Sequence, residues 1–142
     1  MLEVEPQIIE QYVRSGKVRL LYRHLQQSGP TSELLAEASE CGADQGRFWE
    51  LRRALYAAQA QAYNDGEAAV SAAAAEAGVD ATAVQSCIDA ASHEALVRAD
   101  YAAATAEGIR NRPVFRIGDQ MIIGAQPLSV FQQILDQAIA AQ

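Results

Sequence analysis

The beginning of the chain carries apolar side chains at helical spacing. They fall at i, i+1, i+4 and i+5, the pattern of one helix face: Ile8, Ile9, Tyr12 and Val13. This pattern predicts a helix over Leu2–Ser15, and Gly16 suits its C-terminus. No Ser, Thr, Asp or Asn precedes Ser15 as a cap, and proline is tolerated only in a first turn. The helix therefore begins near Pro6, or the chain starts partway through it.

The next segment has the period of a strand. In Lys17–Leu25 the side chains alternate between two faces, with Val18, Leu20 and Tyr22 on one and Arg19, Leu21 and Arg23 on the other. Alternation around a β-prone centre is typical of a strand. We expect a strand with both faces partly covered.

The middle of the chain returns to the helical period, and SGPT (28–31) is the turn that leads into it. The first predicted helix carries Cys41 and is capped by Thr31 or Ser32. Four more helices are predicted after it: Arg47–Ala60, Glu67–Ala77, Ala81–Ala91 and Ser92–Glu107. The buried face of the second is expected to hold Phe48, Trp49, Leu51, Leu55 and Tyr56.

From Pro113 the period changes to two. PVFRI, a GDQ turn and MIIG predict a β-hairpin, and Gln126–Ala140 predicts a closing helix. The pattern contains no internal repeat and no domain linker. A helix, a strand, a helical insertion, a hairpin and a last helix fit several α/β arrangements.

Composition and charge narrow the function. The 142 residues fit one domain, and a 50% hydrophobic content with only 6% aromatic residues favours packed helices. A net charge of -7 disfavours binding to nucleic acid. No apolar run reaches the roughly 20 residues that span a bilayer. The acidic N-terminus, MLEVEPQIIEQ, has no signal-peptide character.

The two cysteines and two histidines suggest little chemistry. Cys41 and Cys87 lack metal-like spacing to each other, although they could form one bridge, and neither lies beside cationic groups that would activate a thiolate. His24 has no nucleophile or carboxylate placed to make it a base, and His93 beside Glu94 reads as a solvated first-turn residue. No phosphate-binding loop is present. We expect no metal and no cofactor.

Three blocks together resemble one family. IIEQYVRSGKVRLLYRHL, AEASECGADQGRFWELRRALYAAQ and RNRPVFRIGDQMIIGAQP are similar to parts of the DsbA-like branch of the thioredoxin superfamily. The resemblance implies a helix-rich α/β protein with an incomplete thioredoxin-like fold and an inserted all-helical subdomain. Residues 1–27 and 108–142 would form the thioredoxin-like part of a single domain, and residues 28–107 the insertion.

The resemblance also implies a function and what limits it. The family consists of extracytoplasmic thiol-disulfide oxidoreductases that act on protein thiols, and a strand and a Cys-x-x-Cys motif precede the residues that resemble Leu2 onward. Without that motif, this chain alone is expected to be redox-inactive, because exchange needs a thiolate and a resolving neighbour. The alternative is a nonenzymatic module that binds extended peptides or a second copy. The third alternative is a helical assembly protein, in which the strands predicted after Pro113 do not form.

Two sites follow from the same resemblance. Pro113 resembles the family's cis-proline, so Arg112, Pro113 and Val114 are candidate substrate-binding residues; the alternative is a trans-proline that starts a strand. Cys41 and Cys87 match a noncatalytic structural disulfide of some relatives; the alternative is two free buried thiols.

The strand that is missing relative to the family lies between those that resemble Lys17–Leu25 and Val114–Ile123. Its absence leaves two backbone edges in need of partners. Either those strands pair directly or a second copy supplies an edge, and we expect a homodimer.

Overall fold

A computed structural model of the protein describes residues 3–141. In chain order the elements are α1 Val4–Ile8, a π-helical segment Ile9–Val13, α2 Pro30–Ala43, α3 Phe48–Ala57, α4 Gln59–Ala62, α5 Gly66–Ala77, α6 Ala81–Asp89, α7 Glu94–Ala106, β1 Val114–Ile117, β2 Gln120–Ile123 and α8 Leu128–Ala140. They form two compact units. The first comprises the residues up to Tyr22 together with those from Thr105 onward, and the second comprises Arg23–Ala104. No helix between residues 3 and 141 is long and apolar enough to cross a membrane.

The first helix is close to its prediction. It begins at Val4, with Pro6 in the first turn, where the missing N–H breaks no helical bond. Glu3 in the N-cap position makes no side-chain cap, as expected. The π-helical segment that continues the helix was not predicted. The predicted start at Leu2 lies outside the described residues.

The strand predicted over Lys17–Leu25 is wrong. Residues 18–27 have no regular secondary structure, and the described residues form one sheet of two strands, β1 and β2. An extended segment becomes a strand only when a neighbour pairs with its N–H and C=O groups, and here no strand does so. Direct pairing between this segment and the hairpin, one of the two predicted ways to close the gap, is therefore also absent from the described residues.

The predicted hairpin is confirmed. β1 and β2 pair antiparallel with Phe115 opposite Ile122 and Ile117 opposite Gln120, across a tight turn at Gly118 and Asp119. Gly118 has a φ of 56°, a conformation that glycine adopts without steric cost. One face of the hairpin packs on α8, and the rings of Phe115 and Phe131 meet edge to face at 4.8 Å. The buried core of this unit consists of Ile8, Tyr12, Ile122, Phe131 and Leu135.

The helical unit is built on a core of Ala, Val and Leu. Leu51 and Val84 are fully buried, and α2 packs against α3, α5 and α6. The cap predicted for α2 is wrong by two or three residues, because the helix begins at Pro30 with Gly29 in the N-cap position. Proline is favoured in a first helical turn, since its missing N–H would have no partner there.

The expected buried face of α3 is only half correct. Leu51 and Leu55 are buried, whereas Trp49 is 39% exposed. Arg52 is buried instead, at 5% exposure, and its guanidinium carbon lies 5.6 Å from the centre of the Trp49 ring and 4.9 Å from that of Tyr56. The aromatic faces attract the cation, so these rings cover an arginine rather than fill the core.

Candidate functional site

The two cysteines are bonded to each other. Cys41 near the end of α2 and Cys87 near the end of α6 form a disulfide with their Cα atoms 5.9 Å apart. The predicted bridge is confirmed, and the alternative of two free thiols is wrong. Cys41 is 1% exposed, and Cys87 is half-buried.

Two polar side chains, Asp44 and His93, lie against this disulfide. Asp44 Oδ2 is 2.9 Å from Nε2 of His93 and 3.7 Å from Cys87 Sγ. A ring nitrogen of His93 and the sulfurs of Cys41 and Cys87 all lie within 4.8 Å of one another. His93 is therefore not the solvated first-turn residue that we expected. The spacings Cys-x2-Asp and Cys-x5-His were signals in the sequence, but only the packing of α2 on α6 joins them.

The candidate substrate-binding residues lie in the other unit, at the start of β1. The Arg112–Pro113 peptide bond is cis, as the resemblance implied. Arg112 is exposed, whereas Pro113 and Val114 are half-buried. The carbonyl of Pro113 accepts a 2.8 Å hydrogen bond from the N–H of Gly124, which fixes the loop to the end of β2.

The hairpin leaves one edge of β1 without a neighbouring strand among the described residues. In an antiparallel pair, alternate residues direct their N–H and C=O groups away from the partner strand. The hydrogen bond from Gly124 shows that Pro113 directs its carbonyl toward β2. The next residues of the opposite kind are Val114 and Arg116, so their N–H and C=O groups point away from β2. On the face opposite α8, Met121 and Ile123 are 48% and 53% exposed. Within residues 3–141, the hairpin thus presents backbone groups that no strand pairs with, beside exposed apolar side chains.

His24 is buried and hydrogen-bonded, and the expectation that no carboxylate lies beside it is wrong, because Glu40 contacts its ring. It is 3% exposed, and its Nε2 lies 2.6 Å from Glu40 Oε1. Its backbone N–H donates to Asp100 Oδ2 at 2.9 Å. The ring makes an edge contact with Phe48 at 6.3 Å between centroids. These contacts fix residue 24 to α2 and α7, and no cysteine is among them.

Comparison with known proteins gives a family and one short likeness. The family model described as Thioredoxin matches residues 1–137. A stretch of 59 residues is 39% identical to part of the Na(+)/H(+) antiporter NhaA 3 of Salinispora tropica, and it covers 40% of this chain and 9% of the antiporter. With the helices and the two-stranded sheet described above, the family match confirms the predicted fold class, a helix-rich, incomplete thioredoxin-like α/β fold. The chain belongs to the thioredoxin family.

Proposed function

We propose that this chain is a DsbA-like member of its family that binds an extended polypeptide along the open edge of β1, beside Pro113. The observation that carries the proposal is the edge itself, where Val114 and Arg116 direct their backbone groups outward. An incoming strand gains affinity from such main-chain groups and specificity from side chains near them. Met121 and Ile123 supply exposed apolar surface on the same hairpin.

The proposal assigns binding rather than thiol-disulfide turnover to this chain by itself. Cys41 and Cys87 are the chain's two cysteines, are separated by 46 positions and are bonded to each other. Exchange on a bound polypeptide needs a thiolate at the polypeptide and a second cysteine to resolve the mixed disulfide.

An oxidising, extracytoplasmic compartment is part of the proposal. Disulfides persist in such compartments and are rare where glutathione and thioredoxin keep thiols reduced. The Cys41–Cys87 bond supports this location. The likeness to the antiporter adds no activity to the proposal, because the matched stretch is 9% of that protein.

The binding test uses reduced, carboxymethylated insulin B chain as an unfolded polypeptide without reactive thiols, with fluorescence anisotropy as the readout. Arg116→Pro removes one outward N–H and should weaken binding about three- to tenfold, the effect of one backbone hydrogen bond. Met121→Pro removes an N–H on the opposite edge and is the matched control. Arg116→Ala controls for the lost ion pair with Glu107. Equal affinities of the Arg116→Pro and Met121→Pro variants would overturn the proposal.

A second copy is the alternative occupant of the same edge, because two β1 edges can pair antiparallel about a two-fold axis. In that case sedimentation would show a homodimer, the Arg116→Pro substitution would dissociate it, and the protein would not bind the B chain.

An insulin-reduction assay with dithiothreitol tests the proposal that this chain by itself does not catalyse thiol-disulfide exchange. No catalysed rate is expected, and turnover that disappears in a Cys41→Ala or Cys87→Ala variant would refute it.

A further inference from the structure

The disulfide and its two polar neighbours are called here the Cys–His–Asp cluster: Cys41, Asp44, Cys87 and His93. The ligand atoms of Cys41, Cys87 and His93 all lie within 4.8 Å of one another, and Asp44 joins them through its contacts with Cys87 and His93. Asp44 follows Cys41 by three positions at the end of α2, a spacing that places both on one helix face. Cys87 is near the end of α6, and His93 is in the turn before α7. Two short stretches of chain therefore supply two ligands each, as in many structural zinc sites.

We infer that reduction of the Cys41–Cys87 disulfide converts the Cys–His–Asp cluster into a binding site for Zn²⁺. Two thiolates, one imidazole and one carboxylate are ligands that Zn²⁺ accepts in tetrahedral sites. Thiolates favour zinc and copper over magnesium and calcium, which prefer oxygen ligands. The sequence led us to expect no metal, because the spacing of Cys41 and Cys87 alone does not resemble a metal site.

The distances from Asp44 Oδ2 to its two neighbours lie near those of a tetrahedral zinc site. With Zn–S near 2.3 Å and Zn–N and Zn–O near 2.0–2.2 Å, a tetrahedron separates S from O by about 3.5 Å and N from O by about 3.3 Å. The corresponding distances from Asp44 Oδ2 are 3.7 Å to the Cys87 sulfur, close to the tetrahedral value, and 2.9 Å to His93 Nε2, a hydrogen-bond distance that would lengthen when a metal ion binds. In the reduced site the two sulfurs would lie about 3.8 Å apart.

Burial favours retention of an ion and still allows its entry. Cys41 is 1% exposed, and the side chain of His93 is 21% exposed. The side chain of Asp44 is 55% exposed and forms the solvent side of the Cys–His–Asp cluster. A metal ion would reach the two sulfurs and the imidazole past this carboxylate.

The conversion is a balanced redox step. A dithiol reductant transfers two electrons and two protons to the disulfide, which gives two thiols and the reductant's own cyclic disulfide. Zn²⁺ then displaces the two thiol protons and binds the thiolates, so binding releases two protons. In the reverse direction, an oxidant of the disulfide class removes two electrons from the thiolates, restores the Cys41–Cys87 bond and expels Zn²⁺.

The test uses the full chain, reduced with a phosphine that is then removed without oxygen. Co²⁺ serves as a spectroscopic probe, because a tetrahedral thiolate site gives charge-transfer and d–d absorption bands, and Zn²⁺ is titrated against a chelating dye. The reduced protein should bind one Zn²⁺ per chain, and the oxidised protein should bind none at the same concentration. Far-UV circular dichroism follows folding, since zinc binding and folding are coupled.

Variants distinguish ligands from general charge effects. His93→Gln should lower Zn²⁺ affinity at least about tenfold, because even a substitution next to a metal ligand commonly costs that much. Asp44→Asn should also lower it and change the d–d bands of Co²⁺. Asp89→Asn, which neutralises a carboxylate two residues after Cys87, is the matched control and should leave affinity unchanged.

Three results would overturn the inference. One is the absence of stoichiometric Zn²⁺ binding to the reduced chain, including failure of Zn²⁺ to refold it if reduction unfolds it. Another is a Zn²⁺ affinity that His93→Gln leaves unchanged. The third is a reduced chain that binds no metal and whose Cys87 is alkylated faster than in the His93→Gln variant. That result would make the Cys–His–Asp cluster a thiol-activating group instead.

Discussion

The hydroxyl of Tyr12 donates a 2.9 Å hydrogen bond to Asp136 Oδ1, across 124 positions of sequence. The ring of Tyr12 is buried in the core of its unit, whereas Asp136 is exposed on α8. The bond ties the first helical segment to the last helix. Burial raises the pKa of Tyr12 above its ordinary value of 10.0, and the hydrogen bond and the negative charge of Asp136 raise it further.

This pKa predicts a loss of stability in alkali. The unfolded chain releases the phenolic proton near pH 10, while the folded chain still holds it, so the free energy of unfolding falls as the pH rises above 10. Below that pH the contribution is fully present. Tyr12→Phe should therefore flatten the decline, and at neutral pH it should cost about 1 kcal/mol for the lost hydrogen bond.

Urea titrations at a series of pH values between 8 and about 11, around the reference pKa of tyrosine, measure this effect. The control is Tyr63→Phe, which removes the hydroxyl of a tyrosine that is 51% exposed. The pH dependence of its free energy of unfolding should stay closer to that of the unmodified protein. A Tyr12→Phe curve parallel to the unmodified one above pH 10 would contradict the assignment.

Gly42 is predicted to be needed for the close approach of α2 and α3. A Cβ atom at Gly42 would lie 2.7 Å from Leu51 Cδ2 and 3.1 Å from Leu51 Cβ, and Leu51 is fully buried. Gly42→Ala should therefore cost about 1–3 kcal/mol through overpacking. The matched control is Gly66→Ala, whose Cβ would meet only the flexible end of Leu34 at 2.8 Å. Equal thermal midpoints for the two variants would argue against this packing.

The sequence predicted local elements better than long-range ones. The hairpin after Pro113 and the helices follow from periodicity that short stretches of chain carry. The failed strand at Lys17–Leu25 has the correct alternation, but pairing depends on a neighbour that periodicity does not reveal. Burial of Arg52 between aromatic rings and the meeting of Asp44 with His93 likewise depend on how helices pack.

The family resemblance supplied what periodicity could not. It paired Cys41 with Cys87 and implied a cis bond at Pro113, and both are present. It said nothing of the groups around the disulfide. The spacings of Asp44 and His93 from the two cysteines are visible in the sequence, but only the distances among the side chains show that all four residues meet.

The Cys41–Cys87 bond is predicted to contribute about 4 kcal/mol to stability, the loop-closure value for 46 positions. The double variant Cys41→Ala, Cys87→Ala removes the bond without leaving reactive thiols. Its urea midpoint, followed by far-UV circular dichroism, should fall well below that of the oxidised protein. If the free energy of unfolding falls by less than about 1 kcal/mol, the disulfide does not stabilise the protein by restricting the unfolded chain.

Asp100 is predicted to hold the start of the helical unit to α7. Its carboxylate accepts the backbone N–H of His24 at 2.9 Å and Nη1 of Arg23 at 3.0 Å, and the residue is 8% exposed. Asp100→Ala leaves the His24 N–H buried without its acceptor and should cost about 1–3 kcal/mol. Asp100→Asn retains an oxygen for that N–H and should cost less. Thermal unfolding of both variants measures the difference, with Asp89→Ala at an exposed position as the control. Equal losses of stability for Asp100→Ala and Asp89→Ala would mean that water replaces the Asp100 carboxylate at no cost.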